Sequence, residues 1–205
     1  MKVFWILCVV LLSGCASFKN SDEPNSILLD QSEYQNKPSV YIDLSYSMNG
    51  SVISESEFLS EVKNNLTESL DRSGVFSEYT FVSSESNNMD YRLELKIINS
   101  GDVAAATMAG FLTGYSLFLI PTFATDNFDV EALLYDKRGQ KLDSTVNEDS
   151  FKTWLGIWFL PVMGSNHPKD VVQDVVKNLV IKSLNDMIRR GQLKYSQVYG
   201  KAPLA

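Results

Sequence analysis

Asp43, Ser45 and Ser47, set two residues apart in Asp43-Leu44-Ser45-Tyr46-Ser47-Met48-Asn49-Gly50, put a carboxylate and two hydroxyls within reach of one another along the chain. Such a set offers oxygen ligands to a hard divalent cation such as Mg²⁺. His167 is the only histidine of the 205 residues, so a Ser-His-Asp arrangement would have to use it. It stands in Gly164-Ser165-Asn166-His167-Pro168, where a residue before proline also suits a helix cap, and the sequence has no Gly-x-Ser-x-Gly elbow. The two cysteines, Cys8 and Cys15, both lie near the amino terminus. No glycine-rich phosphate loop and no His/Asp/Glu run with metal-ligand spacing occurs in the sequence, and no cofactor is expected.

Around Cys15 the order is Met1-Lys2, the apolar run Val3 to Leu12, then Leu12-Ser13-Gly14-Cys15. The run falls short of the ~20 apolar residues a spanning helix needs, and its order of charge, apolar core and small residues is that of an export signal. Leu12 to Cys15 resembles the bacterial lipobox. That resemblance implies a signal peptide over 1–14, cleavage before Cys15, a diacylglycerol thioether on its sulfur, and acylation of the new amino terminus. Two or three acyl chains anchor a protein stably where one does not. Ala16, rather than an aspartate, follows the cysteine, which in such families favours the periplasmic face of the outer membrane over the inner membrane. Cys8 then leaves with the signal and Cys15 carries lipid, so neither a disulfide nor a thiol nucleophile remains. The fold has to be stabilised by its core alone. A net charge of −7 disfavours nucleic acid and other polyanions as the main ligand.

The Asp43 to Gly50 stretch resembles the metal-ion-dependent adhesion motif of von Willebrand A domains, Asp-x-Ser-x-Ser-Met-x-Gly. The resemblance implies Mg²⁺ on Asp43, Ser45 and Ser47. That family places a continuous apolar strand before the aspartate and then alternates strands with helices. Here Asp43 sits inside an alternating segment, so the three residues read as the solvent face of a strand, with an Mg²⁺-dependent adhesion-type binder as the alternative. Leu70-Asp71-Arg72-Ser73-Gly74-Val75-Phe76, followed by Asp90-Tyr91-Arg92-Leu93, is similar to small periplasmic lipoproteins associated with envelope assembly or transport. This likeness speaks to fold and compartment rather than activity.

Residues 15–38 are rich in Ser, Asn, Asp, Glu and Gln and are expected to be a lipidated amino terminus and flexible tether. Residues 39–191 read as a single domain, and 192–205 as a frayed tail. Val40, Ile42, Leu44 and Tyr46 alternate with polar residues, the period of a half-buried strand. Ser54 and Glu57 form a possible capping box ahead of Phe58, Leu59, Val62, Leu66 and Leu70, predicting an amphipathic helix over 55–73 that stops at Gly74. Strands are expected over 76–82 and 91–98, then a hairpin of 128–135 and 140–147 across Asp136-Lys137-Arg138-Gly139. A last helix starts near Pro168 and ends at Gly191. The pattern is α+β: a mostly antiparallel sheet of about four to five strands with two amphipathic helices on one face.

Two uncharged segments, 103–123 and 154–164, flank the hairpin. They could span a membrane, form part of the core, or be apolar loops at one end of the sheet that meet a bilayer or a protein partner. Phe111, Tyr115, Phe118, Trp154, Trp158 and Phe159 are the candidate contacts, Trp and Tyr being residue types that favour membrane interfaces. The function expected is that of a non-enzymatic lipoprotein serving as a binding or envelope-assembly accessory. An envelope hydrolase using His167 ranks third, and oligomeric state is left open.

Overall fold

Alternation of apolar and polar residues turns one face of each strand toward a common core, and the helices supply the other half of it. In a computed structural model of the chain, which describes residues 14–21, 26–31, 34, 36–54 and 56–193, the elements run β1 (Cys15–Lys19), β2 (Ser39–Met48), β3 (Ser51–Ile53), α1 (Glu57–Ser73), β4 (Glu78–Thr80), β5 (Tyr91–Gly101), α2 (Val103–Tyr115), β6 (Thr122–Asp136), β7 (Lys141–Leu155) and α3 (Pro168–Arg189). Apart from Gly14, the expected signal peptide lies outside the described residues, as does all of the expected tail beyond Leu193.

The fold is α+β, with one seven-stranded sheet in the order β1-β7-β6-β5-β2-β3 and β4 also paired to β2. Pairing is antiparallel except that β2 runs parallel to β5 and to β4. Parallel neighbours need a crossover, and α1 provides it between β2 and β5. Seven strands exceed the four or five expected because β1 and β3, five and three residues long, are too short to show a period, while β4 is the middle of the strand expected over 76–82.

Ile42 on β2, Leu95 on β5 and Val130 on β6 are almost wholly buried against Val62, Leu66 and Leu70 of α1 and Val175, Leu179 and Leu184 of α3. The opposite face of the sheet carries charged partners, Arg92 to Glu94 two residues on along β5 at 2.7 Å and Lys96 to its register partner Glu131 on β6 at 3.3 Å, with the Arg92 guanidinium over the Tyr135 ring. Helix α1 begins two residues later than the capping box implied: Ser56, not Ser54, accepts the Leu59 N–H, and Gly74 closes it in the left-handed conformation at φ 57°.

The amino-terminal segment is not a free tether over its described residues. Cys15 to Lys19 add an edge strand to Phe151–Leu155 of β7. Ser17 is buried there, its hydroxyl 2.6 Å from that of Thr153 and its N–H donating to the Asn166 carbonyl. Farther on, Asn185 of α3 accepts from Leu29 N–H and donates to the Ile27 carbonyl, Gln31 N–H donates to Ser73, and Leu28 enters the core. Composition pointed to a tether because the segment is polar; an open strand edge and a buried asparagine recruit its backbone instead.

The β6–β7 hairpin turns where expected, with Asp136 accepting from the Arg138 and Gln140 N–H groups and Gly139 at φ 76°. Both strands are 15 residues long, far beyond the predicted limits, and at ~3.3 Å per residue they reach roughly 50 Å. Their far ends run directly into the two uncharged segments.

Asp90 ties the start of β5 to β2: its carboxylate accepts from the Ser39 N–H at 3.0 Å and hydroxyl at 2.9 Å and faces Lys137 at 2.9 Å. The Ser39 N–H first, and then Lys137, hold its carboxyl below the ordinary range. A depressed folded pKa gives stability that is present above the unfolded value and lost as pH falls below about 4. The urea midpoint of Asp90→Asn is therefore expected to drop less between neutral pH and pH 3 than that of the native chain. Equal drops would remove Asp90 from the acid response.

Candidate functional site

Residues 103–123 are neither a span nor core. Asp102 caps α2 by accepting the Ala105 N–H, and the helix lasts 13 residues, about 20 Å against the ~30 Å of a bilayer's hydrocarbon. Among the described residues no helix is long and apolar enough to cross a membrane. Neither segment contributes to the main core cluster. Instead α2 rests on the sheet through Ala109 and Thr113 alone, Thr113 meeting Thr122 hydroxyl to hydroxyl while Thr122 donates to the Ala109 carbonyl at 3.0 Å. The outward side of the helix presents Phe111 at 64% and Tyr115 at 84% exposure, their rings stacked 6.2 Å apart.

After Tyr115 the chain reverses through Ser116 to Pro121. Leu117 and Phe118 are held at φ 53° and 63°, a region that costs a branched or bulky residue ~1–2 kcal/mol and that glycine or asparagine normally occupies in a solvated turn. Leu117, Leu119 and Ile120 are nonetheless mostly exposed. The second segment docks against this turn: Ile157 N–H donates to the Phe118 carbonyl at 3.1 Å, and the Trp158 indole N–H to the Leu119 carbonyl at 2.9 Å. Trp154 lies 4.9 Å from Phe123 and 5.5 Å from Phe159, ring centre to ring centre. The six candidate contact residues thus belong to one uncharged end of the molecule, which Leu117, Leu119, Ile120 and Phe123 enlarge. The signal for those four was the unbroken absence of charge between Asp102 and Asp126.

Cys15 belongs to the same end. In register it sits opposite Leu155, which sits opposite Thr122, the first residue after the turn. Two strand spacings of ~4.8 Å separate Cys15 from Thr122. Gly156, at φ 154°, donates its N–H to the Gly14 carbonyl at 3.0 Å, and a side chain on Gly14 would collide with the backbone of Leu160. Burial pushes the Cys15 thiol above its ordinary pKa, so as a bare thiol it is a weak nucleophile.

The remaining sequence candidates are not drawn together. Asp43, Ser45 and Ser47 stand on consecutive same-face positions of β2, opposite Glu94, Lys96 and Ile98 of β5. At ~3.3 Å per residue the outer two are about 13 Å apart, too far to share one cation. Among the described residues no group of three or more His, Cys, Asp or Glu side chains could hold a metal ion. His167 is the N-cap of α3, its Nδ1 accepting from the Lys169 N–H at 3.3 Å. Asp126, close behind the apolar end, has its carboxyl raised by burial, with the Asn99 amide opposing that shift.

No protein-family model and no curated protein matches the chain. Among solved structures it is similar to a minor lipoprotein from Acinetobacter baumannii, at 12% identity over 80% of this chain and 98% of that one, with a TM-score of 0.42. It is similar also to a PelC dodecamer from Paraburkholderia phytofirmans, at 10% identity over 82% and 95% with a TM-score of 0.36. A hypothetical protein from Chlamydia trachomatis matches at 8% identity over 77% and 96%, with a TM-score of 0.37. Likenesses at this level assign neither residues nor activity.

Because Phe111 and Leu119 point away from the core, replacing both by Asp is expected to leave stability within about 0.5 kcal/mol per site, as for other surface changes. A collapse of the thermal midpoint would show that the apolar end is packed inside the fold.

Proposed function

We propose that the chain is the precursor of a bacterial lipoprotein, lipidated on Cys15 and held at the periplasmic face of the outer membrane, whose α+β domain is a non-enzymatic binding or envelope-assembly accessory. The observation that carries this reading is the position of Cys15. The residue that closes the lipobox-like sequence begins a strand whose register sets it beside an exposed, uncharged end. Lipid on its sulfur would emerge among apolar side chains, with no charged group to desolvate within the two segments. If the new amino terminus is acylated, as the lipobox resemblance implies, the acyl carbonyl replaces that of Gly14 and can accept the same Gly156 N–H. The apolar end then serves as the contact surface for a bilayer or an envelope protein.

Expression of the native chain beside Cys15→Ser, with separation of the two membranes, tests the anchor. The native protein should appear in the outer-membrane fraction with a lipid-sized mass increment on its amino-terminal peptide, and the variant should lose that increment. An unmodified native peptide overturns the reading.

A further inference from the structure

Resting on Cys15 as the attachment point, we propose that the apolar end is inserted in the bilayer that holds the lipid, entering the interface of one leaflet rather than docking on a protein. Proximity supports this: a strand, not a loop, joins the end to Cys15, so acyl chains leaving the sulfur hold the turn near the same lipid surface. Side-chain type agrees, with the amphipathic rings of Tyr115 and Trp158 exposed at 84% and 64% beside exposed aliphatic and phenyl side chains.

The backbone supplies the argument that separates hydrocarbon from water. In lipid every peptide N–H must be satisfied from within the protein, whereas a solvated loop can leave its donors to water. At this tip none is left over. Ser116 N–H donates to Leu112, Leu117 to Gly114, Phe118 to Thr113 at 2.8 Å, Leu119 to Ser116, and Ile120 to the Ser116 hydroxyl, while Pro121 has no N–H. The Trp158 indole, the polar atom of the neighbouring side chain, is satisfied by Leu119. Two non-glycine residues in the left-handed region, Leu117 and Phe118, accompany this set of satisfied donors in a turn whose Leu117, Leu119 and Ile120 side chains are exposed. Farther back along the hairpin, Lys152 stands 5.3 Å from the centre of the Phe123 ring, where an ammonium can meet lipid phosphate while its stem covers apolar surface. The result is an exposed, uncharged surface of the kind that settles ~5–10 Å into a membrane interface.

The chain from residue 15 onward provides its own probes. Of the three tryptophans, Trp5 precedes residue 15, leaving Trp154 and Trp158, both at the apolar end. Of the two cysteines only Cys15 remains. All described core residues lie between 16 and 193, so this chain keeps the whole core. Coupling the Cys15 thiol to a maleimide-headgroup lipid in phosphatidylcholine vesicles recreates the anchor whether or not cells acylate the residue. With acyl chains brominated near the headgroup, tryptophan emission should fall and shift to the blue, and chains brominated near the bilayer centre should quench less. Phe111→Asp with Leu119→Asp should abolish quenching while the circular dichroism spectrum stays native, and Val146→Asp, on the open sheet, should not change it. An anchored, folded native domain that brominated lipid fails to quench overturns insertion and leaves protein docking, while the lipoprotein reading stands or falls separately on the mass of the cellular peptide.

Discussion

The hydrogen-bond ladder between Cys15–Lys19 and the outer edge of β7 makes Cys15, the proposed attachment point, and the apolar end parts of one rigid body. Without it, β7 would expose an unpaired edge from Phe151 to Leu155, and a lipid on Cys15 could lie anywhere a polar linker allowed. With it, Cys15 is fixed two strands from the turn at Pro121, and the proposed anchor would set the orientation of the domain. Ala16 and Ser17 are fully buried at this edge, so the pairing excludes water rather than decorating the surface.

The long β6–β7 hairpin transmits that constraint across the molecule. One end is a tight Asp136–Gly139 turn in solvent; the other runs into α2 and the Gly156 loop. Between them Phe128, Val130, Ala132 and Leu134 anchor the hairpin to the core beneath α3, which contacts β6, β7 and β1. Stability therefore resides in the middle of the hairpin. The apolar end is held by few buried side chains, chiefly Ala109 and Thr113, and by the hydrogen bonds that its turn's N–H groups donate. A surface that adds little to folding is free to be spent on contact with something outside the chain.

Much of the central fold was legible in the sequence because periodic burial leaves a mark. Val62, Leu66 and Leu70 gave α1, Leu93, Leu95 and Ile97 gave β5, and Asp136 to Gly139 gave the hairpin turn. What escaped had no such mark. Polar Ser17 and Lys19 are in a strand because β7 lacked a partner, and Glu148 to Ser150 are in β7 because the backbone ladder, which is indifferent to side chains, continues past the end of the alternation. The uncharged run from Val103 to Phe123 was visible, but its division into a short helix and a reversal depends on left-handed Leu117 and Phe118, which no propensity favours. The adhesion-like Asp43 motif shows the converse: the residues match, yet an extended backbone spreads them along β2.

Amide hydrogen exchange over Ala16, Ser17 and Phe18 tests the rigid link most directly. A paired β1 requires protection close to that of its β7 partners Lys152 to Trp154, since an edge strand opens only with local unfolding. Exchange at the rate of an unstructured peptide, with β7 still protected, would contradict it, for Cys15 would then sit on a tether and the proposed anchor would not hold the apolar end.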